Sequence, residues 1–368
     1  MRNFENTKKV VIKVGTNILR KAGSVEIDPV YIRRIARQIS LLLETGRQVV
    51  IVSSGAIGMG AGQLESEAKL KDMKVRQACA AIGQPLLMAE YKKAFARFGV
   101  TVAQVLVTAE VLNNRKTYLN LRNSLETLLK LGIVPVLNEN DSVSTDEIGS
   151  TFGDNDKLSA LVASKIDADL LIMLTDTDAL YDKDPKKYTD AKPISTVYKI
   201  TKEIERSAGG KGSQLAVGGM KTKIEAAKIA SDAGCSLVLA NGRIQNVIAR
   251  IIKGAEIGTI FMPKRRLSNR SRWILNSFAK GTITIDNGAM RAIKNRKSLL
   301  PSGIVSVKGS FEAGAVVMLN ENAKAVSSLS STQLRKLAGK HSSHIKKLLG
   351  PGHRDVVAIP EDIVFLDY

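Results

Sequence analysis

A run of nineteen residues from Asn138 to Asp156 carries six acidic side chains and directly follows the apolar segment 133–137. That segment is short and rich in β-branched residues, which predicts a buried strand. Open α/β sheets place their sites in loops at one end of the strands, so this loop is a candidate for binding or catalysis. In a chain of net charge +20, clustered carboxylates at Asp141 and Asp154 favour cations such as a substrate ammonium, lysines or a metal. The alternative interpretation is a solvated acidic turn.

Two lysines stand where an anion could bind. Lys13 lies near the end of a predicted strand over residues 9–14, beside a glycine turn at Gly15. Lys223 follows a glycine-rich stretch over 209–219 and lies near the start of a predicted helix, whose N-terminus adds partial positive charge. A lysine at a helix start is otherwise unfavourable, so a ligand anion is the preferred interpretation. The alternative is an exposed lysine in a flexible loop.

A second glycine-rich loop follows the predicted strand 48–52, beginning at Ser53-Ser54-Gly55. Its backbone N–H groups could approach an anion closely, although this signal is weak by itself. The chain contains neither G-x-G-x-x-G nor G-x-x-x-x-G-K-[ST], which excludes a Rossmann or P-loop enzyme. All three histidines lie beyond residue 340, so catalysis upstream must use carboxylates and lysines instead of a histidine base.

Strand and helix patterns alternate along the first two thirds of the chain, which predicts an α/β fold with a mainly parallel sheet sandwiched by helices. The predicted strands are 9–14, 48–52, 101–107, 133–137, 169–174 and 236–240. The predicted helices are 29–45, 70–80, 85–98, 115–131, 157–165 and 224–233.

The composition is ordinary for a soluble globular protein with room for two domains: 368 residues, 44% of them hydrophobic and 24% charged. The N-terminus lacks an apolar signal core and no apolar run is long enough to span a bilayer, so a cytoplasmic location is predicted. Cys79 and Cys235 lie far apart in apolar surroundings, which predicts core positions and argues against a disulfide or zinc site.

A basic stretch over residues 263–273 marks a change in composition. It divides the chain into a domain over 1–261, a basic linker over 262–280 and a domain over 281–368, whose short strands and turns predict a small β-rich barrel. Residues 261–368 hold 18 Lys and Arg against 7 Asp and Glu. This balance suits a polyanion such as RNA, and solubility explains it about as well.

Seven short motifs occur along the chain in a fixed order. Each motif alone is too short to indicate a protein family, but the whole set is specific. They are Lys13-Val-Gly-Thr-Asn, Ser53-Ser54-Gly-Ala-Ile, Asn138-Glu-Asn-Asp141, Gly153-Asp-Asn-Asp156, Leu174-Thr-Asp176, Leu180-Tyr-Asp and Gly218-Gly-Met-Lys-Thr-Lys223. Together they resemble the amino-acid kinase family, in its glutamate-phosphorylating branch, over essentially the whole chain. The tail from about Gly281, with Gly309-Ser-Phe, is similar to the PUA domain that follows many of these enzymes.

The resemblance implies transfer of the ATP γ-phosphate to the side-chain carboxylate of L-glutamate. The product would be L-glutamyl 5-phosphate, at the first step of proline biosynthesis. Mg2+ is implied to arrive with the nucleotide, without metal ligands from the protein. Proline is implied as a feedback inhibitor, and the protein is implied to be a homo-oligomer.

The resemblance also assigns roles to individual residues. The residues implied to be catalytic are Lys13 and Lys223, which contact the phosphoryl group, and Asp156, which aligns them. The residues implied to bind L-glutamate are Ser54, Asp141 and Asn155. The residues implied to bind ATP are Lys13, Thr175, Asp176, Val217, Gly218, Gly219, Met220, Lys221, Thr222 and Lys223. Chemistry agrees with these roles, because a carboxylate nucleophile needs no deprotonation and the transfer needs mainly positioning and cationic stabilisation.

Other interpretations fit the sequence less well. An aspartate kinase is expected to begin with K-F-G-G-T-S and end in ACT domains, and a uridylate kinase is expected to lack the basic tail. In a different class, the protein would be chiefly an RNA-binding factor that uses residues 264–272 to track phosphates, but the tail has few aromatics for base stacking. His341 and His344 have the spacing of a metal pair, yet no third ligand lies nearby, so a solvated surface is preferred.

Overall fold

The computed structural model describes residues 2–21, 24, 26–64, 72–143, 155–185, 187–207, 219–264, 266–350 and 355–366. The chain divides into two compact units, Met1–Arg266 and Leu267–Tyr368. No helix among the described residues is both long and apolar enough to cross a membrane.

The first unit is built on a mainly parallel sheet. Its described strands are β1 (Lys9–Val14), β2 (Gln48–Ser53), β3 (Val102–Val107), β4 (Val134–Glu139), β5 (Leu170–Thr175), β6 (Leu180–Tyr181), β7 (Pro193–Ile194), β8 (Thr196–Val197), β9 (Ser236–Asn241) and β10 (Thr259–Phe261). Eight of them form one sheet in the order β3-β4-β2-β1-β5-β9-β10-β8, while β6 pairs with β7. Within the large sheet only β9 and β10 pair antiparallel. The predicted sheet is therefore confirmed, and each predicted strand is present.

Helices cover both faces of this sheet. They are α1 (Thr16–Leu19), α2 (Pro29–Glu44), α3 (Ala56–Gln63), α4 (Met73–Ala96), α5 (Ala109–Asn113), α6 (Arg115–Lys130), α7 (Asp156–Lys165), α8 (Lys202–Ser207), α9 (Met220–Asp232) and α10 (Val247–Ile252). Alternate side chains of β1 point to opposite faces. Ile12 joins a core cluster with residues of α2, α4 and α10, and Val11 joins a second cluster with residues of α6, α7 and α9. Burial on both faces explains why these strands have continuous apolar sequences.

Three helix predictions differ from the structure. The helices predicted over 70–80 and 85–98 are one helix, α4, which continues through Pro85 although proline removes a backbone donor. The glycine-rich segment predicted as a loop forms α3 instead. Helix α9 begins at Met220, four residues before its predicted start, so Lys223 lies in its first turn.

Close contact between α3 and α4 explains the first two differences. A Cβ atom on Gly60 would lie 1.9 Å from the carbonyl oxygen of Cys79, and one on Gly83 would lie 1.8 Å from that of Ala56. The glycines therefore let two helix backbones touch, at Cys79 and Gly83 in the part of α4 before Pro85. Tertiary packing thus outweighs the local preference of glycine and proline for ending a helix.

Gly60→Ala is expected to lower the free energy of unfolding by about 3 kcal/mol, because the added methyl group meets backbone that cannot move aside. Gly58→Ala is the matched control in the same helix. Its Cβ would meet only the end of the flexible Arg20 side chain, at 2.6 Å, so a change below about 1 kcal/mol is expected. Urea unfolding of both variants measures the difference, and equal losses would contradict the proposed backbone contact.

The second unit is β-rich, as predicted. Its strands are β11 (Gly281–Ile285), β12 (Ile304–Gly309), β13 (Val316–Leu319), β14 (Ala323–Val326) and β15 (Ile363–Phe365), and its helices are α11 (Asn269–Asn276), α12 (Asn287–Lys294), α13 (Ser331–Leu337) and α14 (Ser343–Leu349). The described strands of this unit have the order β12-β11-β13-β14-β15, and among them only β11 and β13 pair in parallel. Helix α11 lies inside the segment predicted as a linker, because Trp273 and Ile274 give it a buried face.

Candidate active site

The polar side chains predicted to act lie at the carboxyl ends of neighbouring strands. Lys13 lies near the end of β1, Ser54 follows β2, Asn138 lies near the end of β4, and Thr175 ends β5. Because β4, β2, β1 and β5 are consecutive in the sheet, these ends form one continuous edge. Ligands of open α/β sheets bind outside this edge.

One carboxylate joins the two lysines predicted to be catalytic. Oδ1 of Asp156 lies 2.8 Å from Nζ of Lys13, and Oδ2 lies 3.1 Å from Nζ of Lys223. The hydroxyl of Thr222 donates a hydrogen bond to the same Oδ2 at 2.8 Å. The three charged residues are buried, with exposed fractions of 1% for Lys13, 0% for Asp156 and 5% for Lys223. The fold therefore brings together groups from β1, α7 and α9.

Asp156 is held in its ionised form by these neighbours. Burial of the carboxyl group acts to raise its pKa, but the charges of Lys13 and Lys223 and the hydrogen bond from Thr222 outweigh burial and hold the pKa below its ordinary value. Because the carboxylate contacts both ammonium groups, it fixes the distance between them. Two cations at fixed positions suit a ligand that spreads negative charge over several oxygens.

Asn155 connects this cluster to strands β2 and β4. Its φ of +54° lies in the left-handed region, which asparagine tolerates better than most residues. Its Nδ2 donates to the carbonyl oxygen of Ser53 at 2.7 Å, to Oδ1 of Asn138 at 2.7 Å and to the hydroxyl of Ser54 at 3.2 Å. Asp156 is the next residue. Two neighbouring side chains therefore contact the loop ends of β2 and β4 on one side and the two lysines on the other.

Tyr91 supports the same network, although nothing in the sequence pointed to it. Its hydroxyl lies 2.9 Å from Oγ of Ser53, in a fully buried position on α4. Burial raises the pKa of Tyr91 to about 12, so the hydroxyl stays neutral. An aromatic residue on an apolar helix face looks like ordinary core packing, which is why sequence reasoning missed it.

A second polar group lies beyond β5. Asp176 accepts hydrogen bonds from Nδ2 of Asn17 at 2.8 Å and from the hydroxyl of Thr175 at 3.1 Å. Partial burial acts to raise the pKa of Asp176, but these hydrogen bonds and the charge of Lys223 lower it below its ordinary value. Asn17 was also missed as a site residue, although it stands in the first motif of the sequence.

Asp141 lies in a turn after β4 and does not join the Asn155 network. The backbone N–H of Val143 closes this turn on the carbonyl of Asn140 at 3.1 Å. Burial raises the pKa of Asp141 to about 6, although the charge of Arg76 on α4 acts to lower it. The carboxyl group is therefore partly desolvated and faces an opposite charge.

The remaining predicted site residues fall into two groups. Gly219 is the N-cap of α9, Met220 is its first residue and Lys221 is exposed on its first turn. Val217 and Gly218 lie outside the described residues, as does most of the acidic loop, residues 144–154.

The described residues contain no group of three or more His, Cys, Asp or Glu side chains arranged to hold a metal ion. His341 Nδ1 instead lies 3.0 Å from the hydroxyl of Ser343. Cys79 and Cys235 are both buried, which confirms their predicted core positions.

Comparison with known proteins identifies two family matches. Residues 8–241 match the model of the amino acid kinase family, and residues 281–349 match the PUA domain. A glutamate 5-kinase of Methanosarcina mazei is 47% identical, over 99% of this chain and 97% of that protein. A glutamate 5-kinase of Thermoanaerobacter sp. strain X514 is 43% identical, over 98% of each chain.

Proposed function

The chain belongs to the amino acid kinase family, and we propose that it transfers the γ-phosphoryl group of ATP to the side-chain carboxylate of L-glutamate. The product is L-glutamyl 5-phosphate, which makes the reaction the first step of proline biosynthesis. The observation that carries this proposal is the buried cluster in which Asp156 contacts both Lys13 and Lys223.

The reaction needs positioning and positive charge more than it needs a base. A glutamate carboxylate oxygen forms a bond to the γ-phosphorus, the bond from that phosphorus to the β–γ bridging oxygen breaks, and ADP leaves with the electron pair. The carboxylate is already ionised at neutral pH, so no proton has to be removed. Lys13 and Lys223 stabilise the charge on the transferring oxygens, and Asp156 keeps both ammonium groups in place.

Two sets of residues would hold the substrates at either end of this cluster. Ser54, Asn155 and Asp141 bind L-glutamate, with Asp141 pairing with the substrate ammonium. Thr175, Asp176 and the segment 217–223 bind ATP. Mg2+ would be carried by the nucleotide and would supply positive charge that offsets the charge of the phosphates.

Asp141→Asn is expected to raise the KM for L-glutamate roughly 10- to 10²-fold and to leave the KM for ATP unchanged, because it removes a charge that pairs with the ammonium. In the wild type the same KM should rise as the pH falls through about 6, where Asp141 takes up a proton. Steady-state kinetics at several pH values measure both effects.

The exposed acid Glu110 provides the control for this substitution. Glu110→Gln should leave both KM values and their pH dependence unchanged. If Asp141→Asn raised the KM for ATP while that for L-glutamate stayed constant, the turn after β4 would belong to the nucleotide site.

ADP release with four acceptors tests the proposed function. L-glutamate, L-aspartate, N-acetyl-L-glutamate and UMP are supplied in parallel with ATP and Mg2+. The proposal predicts turnover with L-glutamate and little with the others. Preference for UMP or for either of the other amino acids would overturn the assignment.

Further properties follow from the family and remain predictions: feedback inhibition by proline, a homo-oligomeric state and a cytoplasmic location. The PUA match and the excess of basic residues over 261–368 make RNA a candidate partner of the second unit. If the full chain binds RNA through phosphates, its affinity should fall steeply as salt rises. If the chain did not bind RNA even at low salt, the excess positive charge would be explained by solubility instead.

A further inference from the structure

Two buried hydroxyl groups lie in a row behind Ser54, a residue proposed to bind L-glutamate. Tyr91 on α4 is 1% exposed, and its hydroxyl lies 2.9 Å from Oγ of Ser53. Oγ of Ser53 in turn donates a hydrogen bond to the carbonyl oxygen of Ser54 at 3.2 Å. The proposed reaction uses neither hydroxyl, yet together they connect the core of the first unit to the backbone of the loop that ends β2.

The direction of these hydrogen bonds follows from the number of protons. A serine hydroxyl has a single proton, and that of Ser53 is donated to the carbonyl of Ser54, which can only accept. Tyr91 must therefore donate its own proton to Oγ of Ser53. The order is thus from Tyr91 to Ser53 to the carbonyl of Ser54, and neither hydroxyl has a second proton with which to bond in another direction.

The polar groups of Ser54 are held by these bonds and by its other neighbours. Its N–H donates to the carbonyl oxygen of Val14 at 3.3 Å, its carbonyl accepts from Ser53, and its Oγ accepts from Nδ2 of Asn155 at 3.2 Å. Within the described part of the chain, its hydroxyl proton has no acceptor. Because Ser54 is only 6% exposed and an unpaired buried donor costs free energy, a ligand acceptor such as a carboxylate oxygen is favoured there.

The position of Tyr91 is set by the packing of α4 against α3. A Cβ atom on Gly83 would lie 1.8 Å from the carbonyl oxygen of Ala56, so the two helix backbones touch two residues after Ser54. About two turns further along α4, the ring of Tyr91 stacks on that of Phe95, with 6.5 Å between the centroids. Helix α4 therefore contacts the loop after β2 and the start of α3 at two points, which leaves this segment little freedom to turn.

We propose that Tyr91 and Ser53 are positioning residues for the acceptor substrate, because their hydrogen bonds fix the peptide of Ser54 so that its hydroxyl proton meets a carboxylate oxygen of L-glutamate. This inference rests on the proposed function and adds to it how Ser54 is oriented. Neither positioning residue touches the substrate. Without the hydroxyl of Tyr91, Oγ of Ser53 is free to rotate, the carbonyl of Ser54 loses its fixed donor, and the bond to the substrate weakens.

Tyr91→Phe is expected to raise the KM for L-glutamate about 3- to 10-fold and to leave the KM for ATP within about 2-fold of the wild-type value. Ser53→Ala should raise the KM for L-glutamate at least as much, because it removes both hydrogen bonds of the row. Steady-state ADP release measures both constants, with one substrate varied while the other is saturating.

A double-mutant cycle separates positioning from general support of the fold. In Ser54→Ala the hydroxyl that Tyr91 positions is missing, so the addition of Tyr91→Phe should raise the KM for L-glutamate by less than about 2-fold. A merely structural effect of Tyr91→Phe would appear by the same factor with and without the hydroxyl of Ser54. Equal factors would therefore overturn the positioning role.

Tyr31→Phe is the matched control. Tyr31 on α2 is 5% exposed, and its hydroxyl donates to the carbonyl oxygen of Gly242 at 3.1 Å, so the substitution removes a comparably buried hydrogen bond from the same core cluster. Its midpoint of urea unfolding should fall about as much as that of Tyr91→Phe, while its KM for L-glutamate should stay within about 2-fold of the wild-type value.

An unchanged KM for L-glutamate in Tyr91→Phe, or an equal rise in Tyr31→Phe, would also overturn the inference. A wild type that releases no ADP with L-glutamate would overturn the proposed function, and this inference with it. Failure of the inference alone leaves wild-type turnover intact, so the two failures are distinguishable.

Discussion

Lys223→Ala is expected to lower kcat by at least about 10²-fold while the KM for L-glutamate stays within a few-fold of the wild-type value. The ammonium group is buried beside Asp156 at 3.1 Å, and we propose that it contacts the transferring phosphoryl group. Its charge matters most as charge develops on the phosphoryl oxygens, so its loss falls on kcat. Steady-state rates of ADP release at saturating ATP measure the effect.

Lys228→Ala is the control for this substitution, because Lys228 is an exposed lysine on the same helix, paired with Glu205 at 2.6 Å. It should leave kcat unchanged. Lys13→Ala should resemble Lys223→Ala, and the double variant should lose less than the product of the two single losses, because both lysines act on one group. A near-normal kcat in Lys223→Ala would show that this lysine does not take part in the reaction.

Asp156→Asn is expected to lower kcat by at least about 10³-fold, because the amide keeps the shape of the side chain but no longer holds two ammonium groups by charge. It should also lower the free energy of unfolding by about 3 kcal/mol, since buried lysines lose their shared counter-charge. The folded-state pKa of Asp156 lies below its ordinary value, so its stabilisation is present above that ordinary value and is lost as the pH falls through the folded pKa. The stability difference should therefore be full at neutral pH and shrink in acid.

Asp167→Asn provides the comparison, because Asp167 forms a more exposed ion pair with Arg122 at 3.3 Å. A loss below about 1 kcal/mol and unchanged kinetics are expected there. Urea unfolding over a range of pH values measures both variants. If Asp156→Asn were as stable and as active as Asp167→Asn, the buried cluster would not be the centre of the reaction.

The strands of the first unit were predictable because burial on both faces requires continuous apolar segments, such as Val10 to Val14, bounded by turns. The continuity of helix α4 was not predictable, because it depends on contacts with α3, a separate helix earlier in the chain. Pro85 and the glycines near residue 60 have a strong local preference for ending helices, and only the packed structure reveals that they allow close approach instead.

The motifs indicated which residues could form the candidate site, but they did not indicate how those residues contact one another. The order of the motifs indicated Lys13, Asp156 and Lys223, but only the fold brings α9 against α7 so that one carboxylate reaches both lysines. Tyr91 carries no local signal, since it resembles a core aromatic. Its contact with Ser53 depends on long-range packing, which a single sequence does not specify.

Trapping the product with hydroxylamine tests the central claim most directly, because an acyl phosphate reacts with it to give a stable hydroxamate. Wild type with ATP, Mg2+ and L-glutamate is predicted to form one γ-glutamyl hydroxamate for each ADP released, and Asp156→Asn is predicted to lose both products together. ADP release without hydroxamate would show that phosphate passes to water or to another acceptor. Equal hydroxamate formation by Asp156→Asn would show that transfer occurs away from the cluster of Lys13, Asp156 and Lys223.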